Sequence, residues 1–190
     1  MEDCPASDRA SLLDRAHPRC ACEACTASEH SPGPVQGPES LFRIVVAPQH
    51  ARKGRPRAAA LADAERGGLS VFRAAHIRDD GMLKKVAEEL VRRARERQGD
   101  KAGVVGVFEF TCLTLRHFRR VGEAMGCYCV YDTALRDDPS HAEAFQQVEG
   151  VDDAIKDDRR KQLFEAVQET FIPVAQFRGG LLSYLAPVSA

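Results

Sequence analysis

Between residues 69 and 133, short strand-like runs alternate with helical ones, and that order restricts the fold more than any other feature of the sequence. LSVFRA (69–74) is rich in strand formers with a period of two. Asp79-Asp80-Gly81 then introduces MLKKVAEELVRRARERQ. There Leu83, Val86, Leu90 and Ala94 recur at helical spacing, acids precede bases, and Gly99 closes the run. AGVVGVFEF (102–110) is apolar enough for a central strand. TCLTLRHFRRVGEAM predicts a helix with Leu115, Phe118 and Val121 inward, and CYCVYDT (127–133) a further strand. Strand, helix and strand in succession usually form a right-handed crossover, so at least part of the sheet is expected to be parallel.

The flanks extend this frame. LFRIVVA (41–47) is a β-branched run stopped by Pro48, QHARKGRPR is a basic loop, and RAAALADAE predicts a helix ended by Gly67-Gly68. Past Asp137-Asp138-Pro139 the sequence predicts a short helix from His141 and a longer one over IKDDRRKQLFEAVQETF. A terminal strand or hairpin follows in IPVAQF and LLSYLA. The expected fold class is α/β or α+β, with a mixed, partly parallel sheet of about four to five strands and helices packed on it. SEHSPGPVQGPES (28–40) reads as a linker. Residues 1–40 are therefore expected to be a flexible Cys-rich extension, and residues 41–190 a single domain.

Composition narrows the function classes. With 27 basic and 28 acidic residues the formal net charge is −1, which removes a whole-surface affinity for duplex nucleic acid. No run approaches the ~20 apolar residues of a membrane span, and MEDCPASDRASLLDR lacks the apolar core of a secretory signal. The expectation is a cytoplasmic protein with no membrane partner. The Ala- and Arg-rich composition points to a bacterial source. Seven cysteines without an export signal argue for reduced thiols rather than a disulfide framework.

HPRCACEAC (17–25) puts three cysteines and a histidine in nine positions. His17, Cys20, Cys22 and Cys25 form a candidate zinc set, since thiolates and imidazole favour a tetrahedral ion. The alternative is an exposed thiol-bearing tail without metal. Cys127 and Cys129 share a strand face that the tail could reach. Cys112, at a helix start, meets the electrostatic condition for a reactive thiol, although a buried small hydrophobe is the commoner role.

In DDPSHAEAF (137–145), Ser140-x-x-Glu143 has the form of a helix capping box, which leaves His141 as the residue without a structural reason. GLSVFRA followed by YDTALRDDPSHAEAF resembles a loose set of small uncharacterised bacterial proteins that carry a Gly-Leu-Ser-Val-x-Arg strand and a later Pro-x-His-Ala-Glu stretch. The resemblance spans about residues 41–150. It implies no activity and directs attention to Ser70, Arg73 and His141. Arg43, Ser70 and Glu109, on three separate strands, also match the residue types with which ADP-ribosyl transfer sites hold a dinucleotide. No glycine-rich phosphate cradle and no carboxylate–lysine nuclease cluster is present.

No constellation supplies nucleophile, base and orienting group together. The sequence therefore favours a binding or accessory protein with another protein as partner, with or without zinc at its N-terminal segment. Two alternatives remain open. One is a small enzyme, ADP-ribosyl-transfer-like or hydrolytic, using Arg43, Ser70, Arg73, Glu109 and His141 in one cleft. The other is a zinc-dependent nucleic-acid module, which requires the basic loop 51–57 to lie beside the cysteine cluster.

Overall fold

The computed structural model describes residues 9–21, 23–24 and 28–187. In chain order the elements are helix α1 (Arg9–Ala16), strand β1 (Ser40–Ala47), the hairpin β2 (Ala51–Arg52) and β3 (Arg55–Pro56), and strand β4 (Leu69–Arg73). Helix α2 (Asp80–Gln98), strand β5 (Gly103–Thr111), helix α3 (Cys112–Arg116), and strands β6 (Tyr128–Asp132) and β7 (His141–Gln146) follow. Helix α4 (Asp153–Val167) and strand β8 (Phe171–Pro173) complete them.

Six strands form one sheet in the order β6-β7-β4-β1-β5-β8, and every pairing in it is antiparallel. The class is thus α+β, and the expected partly parallel sheet of four or five strands is corrected. The crossover β4–α2–β5 does form, and its two strands run in the same direction. They are not neighbours, because β1 lies between them and is antiparallel to both. Local sequence specifies the crossover but not the strand it straddles.

Helix α2 formed as its pattern predicts: the Asp79 side chain accepts from the Met82 N–H at 2.8 Å, and Gly99 ends the helix at φ 81°. Its buried stripe, Leu83, Ala87, Val91 and Ala94, packs with Phe42, Ile44, Val46, Phe72 and Val107 on one sheet face. The opposite face carries Leu41, Val45, Leu69, Val71 and Phe108, covered by Leu163 and Val167 of α4 and by Ala60, Leu61 and Ala64. That last segment, Ala58–Glu65, winds as 3-10 turns rather than an α-helix.

Three other expectations change. The stretch from His141 is the central strand β7, not a helix: its alternation sends His141, Glu143 and Phe145 to one face and Ala142, Ala144 and Gln146 to the other. Two alanines favour a helix locally, but pairing on both edges with β4 and β6 outweighs that propensity. The capping box does not form, and the Ser140 hydroxyl donates to Asp138 Oδ1 at 2.6 Å. Of TCLTLRHFRRVGEAM only Cys112–Arg116 is helical, and LLSYLA ends in 3-10 turns whose Leu182 and Leu185 fill the α2-side core.

The described part of the N-terminal segment lies on the domain rather than apart from it. Ala10 is buried with Cys129, Tyr131, Phe145 and Val148. Arg9 pairs with Glu143 at 2.8 Å, Glu23 with Arg116 at 2.5 Å, and Cys20 is disulfide-bonded to Cys129. The linker is held by Arg73, which is 2% exposed. Its guanidinium donates to both Glu39 carboxylate oxygens at 2.7 Å and to the Gly33 carbonyl at 2.7 Å. Among the described residues no helix is long and apolar enough to cross a membrane.

Candidate functional site

Helix α2 sits over β1 and β5, while α1 covers the β6–β7 end of the same face. Between them the floor from β4 to β7 is left partly open. A second opening lies beside it. Strands β1 and β4 share two register pairs, Leu41↔Arg73 and Phe42↔Phe72, against eight between β1 and β5. Beyond Phe42 the two strands part, and the Arg43 side chain bridges the gap. It donates to the Ser70 carbonyl at 3.1 Å, the Ala60 carbonyl at 3.1 Å and Asp63 Oδ2 at 2.9 Å.

A cleft of about 400 Å³ opens at this gap, lined by Arg43, His50, Asp63, Ser70, Arg93, Arg97 and Gln98 among others. Its charged lining is Arg43, Arg93 and Arg97 against Asp63 and Glu96. Arg43 is spoken for by Asp63, but Arg93 and Arg97, both exposed, use only their Nε atoms, on Glu89 and on the Arg93 carbonyl. No carboxylate among the described residues bonds their terminal amino groups.

Two buried polar atoms of the lining residues, His50 Nε2 and Gln98 Oε1, have no hydrogen-bond partner among the described residues. His50 Nδ1 accepts from the Val46 N–H at 3.4 Å, which assigns the ring proton to Nε2 and makes that atom the unsatisfied donor. Burial, helped by the Arg43 and Arg97 charges and opposed by Asp63, pushes the imidazole down to about 4. His50 is therefore neutral at pH 7. Burial also lowers Arg43, with Asp63 restoring part of the loss.

A second cavity of about 360 Å³ continues along the seam and shares Ser70, Leu90 and Arg93 with the first. Phe72, Met82, Val86 and Leu135 make it more apolar, and Asp137, Asp138 and His141 lie at its far side. The His141 ring packs edge-on against Phe72, with centroids 5.8 Å apart, and Nδ1 lies 2.9 Å from the Thr133 hydroxyl.

The five residues proposed for one catalytic cleft are divided. Arg43 and Ser70 line the basic cavity, and Ser70 and His141 the apolar one. Arg73 is committed to the linker clamp, on the α4 side of the sheet. Glu109 accepts from the Ser40 hydroxyl at 2.9 Å and lines neither cavity. The Arg43–Ser70–Glu109 set consequently does not share a cleft. The candidate set did not include His50, Arg93, Arg97 or Gln98. Arg93 and Arg97 carried a usable signal, because i and i+4 on α2 share one face.

For the zinc set, Cys20 is bonded to Cys129 over 109 residues with a Cα–Cα distance of 5.4 Å, so it is not a free thiolate ligand. This also corrects the expectation that all thiols are reduced. His17 precedes the 3-10 turn Pro18–Cys20, while Cys22 and Cys25 lie outside the described residues. Among the described residues no group of three or more His, Cys, Asp or Glu is arranged to hold a metal ion. The basic hairpin leaves β1, three strand positions from the Cys20–Cys129 bond at β6. Cys112 is buried, which pushes its thiol up to about 12 and removes it as a nucleophile at neutral pH.

No family model matches the chain, and neither a curated protein nor a solved structure does.

Proposed function

We propose that this is a binding protein for a small anionic ligand, held in the cleft between α2 and the parting of β1 from β4. One observation carries the reading: Arg93 and Arg97 line the same cleft as two buried polar atoms that have no hydrogen-bond partner among the described residues. A buried donor or acceptor left unpaired costs about 1–3 kcal/mol, which a ligand bearing both kinds of group offsets on entry. Guanidinium groups suit phosphate, sulfate or carboxylate because their donors match the oxygen spacing.

Isothermal titration calorimetry with inorganic phosphate, at fixed ionic strength, tests this. Saturable binding is expected, weakened at least tenfold in Arg93→Ala/Arg97→Ala. Both side chains are exposed, so the double variant should keep the wild-type melting temperature. No saturable phosphate binding, or equal binding by the variant, overturns the reading.

A second reading rests on the β2–β3 hairpin. Arg52, Lys53, Arg55 and Arg57 are exposed there and have no carboxylate within ion-pair distance among the described residues. They suit the phosphate backbone of a nucleic acid. Affinity for single-stranded DNA that is insensitive to salt, or unchanged in Arg52→Ser/Lys53→Ser/Arg55→Ser, would count against it.

A further inference from the structure

The two cavities along α2 differ in polarity, the second being the more apolar, and share Ser70, Leu90 and Arg93. We infer that they are the two halves of one site for an amphipathic organic anion: an anionic head at Arg93 and Arg97, and an apolar body against Phe72, Val86, Leu90 and Leu135. This rests on the anion-cleft reading and adds the chemistry of the rest of the ligand.

Charge fixes the orientation. At the far side of the apolar half stand Asp137 and Asp138 with the exposed Lys85, so a head group placed there meets two carboxylates and one ammonium, while Glu89 in the same lining is bonded to Arg92 and Arg93. At the other end are Arg43, Arg93 and Arg97, whose acidic neighbours are already engaged: Asp63 by Arg43 and Glu96 by Arg92. An anion therefore meets the Arg93 and Arg97 guanidinium groups at one end, and two carboxylates offset by a single lysine at the other.

The helix supplies the apolar wall for a geometric reason. Its core stripe is Leu83, Ala87, Val91 and Ala94, and Met82, Val86 and Leu90 lie one position earlier, rotated to the edge of the packed face. They are half-covered by the sheet and finish their burial only against something in the seam. From Arg93 back to Met82 the helix rises about 16 Å at about 1.5 Å per residue, room for an extended alkyl chain or a flat ring system. Leu135, a large apolar side chain 55% exposed, stands at the mouth of the same half.

The test compares methyl phosphate with octyl phosphate, kept below its micelle concentration, by calorimetry on the full chain. Each buried methylene strengthens binding about fourfold, so octyl phosphate should bind a hundredfold or more tighter than methyl phosphate. Leu135→Glu, at an exposed position, should cut that preference at least tenfold. Arg93→Ala/Arg97→Ala should weaken both ligands by a similar factor. Equal affinity for the two phosphates overturns the two-half site while the anion cleft stands. An octyl preference unaffected by Leu135→Glu also overturns it, since the chain then lies elsewhere. Failure of both phosphates to bind overturns this inference and the reading beneath it together.

Discussion

His50 ties stability to pH with a calculable size. Its imidazole titrates near 6.5 in the unfolded chain and near 4 in the folded protein, so between these values the unfolded state binds a proton that the folded state refuses. A base whose folded pKa is depressed contributes stability that is full above 6.5 and is lost as pH falls toward 4. Integrating the difference gives a loss of about 2 kcal/mol by pH 5 and about 3 kcal/mol by pH 4, relative to neutral pH. The side chain is 9% exposed, so solvent screening removes little of this.

Other groups act in the same range. Glu65 and Asp132 have carboxyls raised by burial, and they stabilise the fold on acidification. Comparison with His50→Gln isolates the histidine, because glutamine can still accept from the Val46 N–H but does not titrate. Urea unfolding of both proteins at pH 7, 6, 5 and 4.5 gives the difference directly. The wild type should lose stability relative to His50→Gln in a curve centred between pH 6.5 and 4. A difference between the two that stays constant with pH would refute the reasoning.

Arg73→Met should cost about 3–5 kcal/mol, the range for stranding a buried charge. Glu39 would lose both its bonds to Arg73 and keep only that from the Gln36 N–H, and Asp132, fully buried with Arg73 Nη1 3.7 Å away, would lose its nearest cation. For a chain of this size that is a melting-temperature drop of roughly 6–20 °C, and a loss under about 1 kcal/mol in urea unfolding would show the clamp to be weak. Reduction, or Cys20→Ser, should destabilise by up to about 4–5 kcal/mol, since the Cys20–Cys129 bond closes a separation of 109 residues. A melting temperature that reductant leaves unmoved, or a non-reducing peptide map without a Cys20–Cys129 link, would count against the bond.

What could be read directly depended on the range of the interaction. Helices α2 and α4 and strands β1, β5 and β6 appear where the pattern placed them, because each is encoded within its own length. Periodicity, caps and β-branched runs are local. The extent of α3 and the identity of β7 were misjudged for the converse reason. RHFRRVGEAM has helical composition, but the Gly126 backbone lies so close to the Arg116 carbonyl that a Cβ there would sit 2.4 Å from it, and HAEAFQ is a strand only because β4 and β6 flank it.

The candidate site was legible in its residue types more than in their grouping. Arg43, Ser70 and His141 were singled out and do line the seam, whereas Arg73 and Glu109, chosen by the same reasoning, are bonded to Glu39 and Ser40. On each strand, alternation says which residues share a face, but only the register of β1 on β4 puts Arg43 and Ser70 on opposite faces of the sheet. Only the parting of β1 from β4 lets the Arg43 guanidinium reach the Ser70 carbonyl and brings both into one cleft.

The sequence by itself therefore determined α2, α4, β1, β5 and β6 and the absence of an apolar span, since those depend on neighbours a few residues apart. The tertiary structure decided the strand order, the all-antiparallel sheet, the docking of residues 9–21 and the cleft. Each of these depends on which distant groups meet: Arg9 with Glu143, Cys20 with Cys129, and Arg97 with His50. Those pairings are 134, 109 and 47 positions apart in the chain, and no local period carries them.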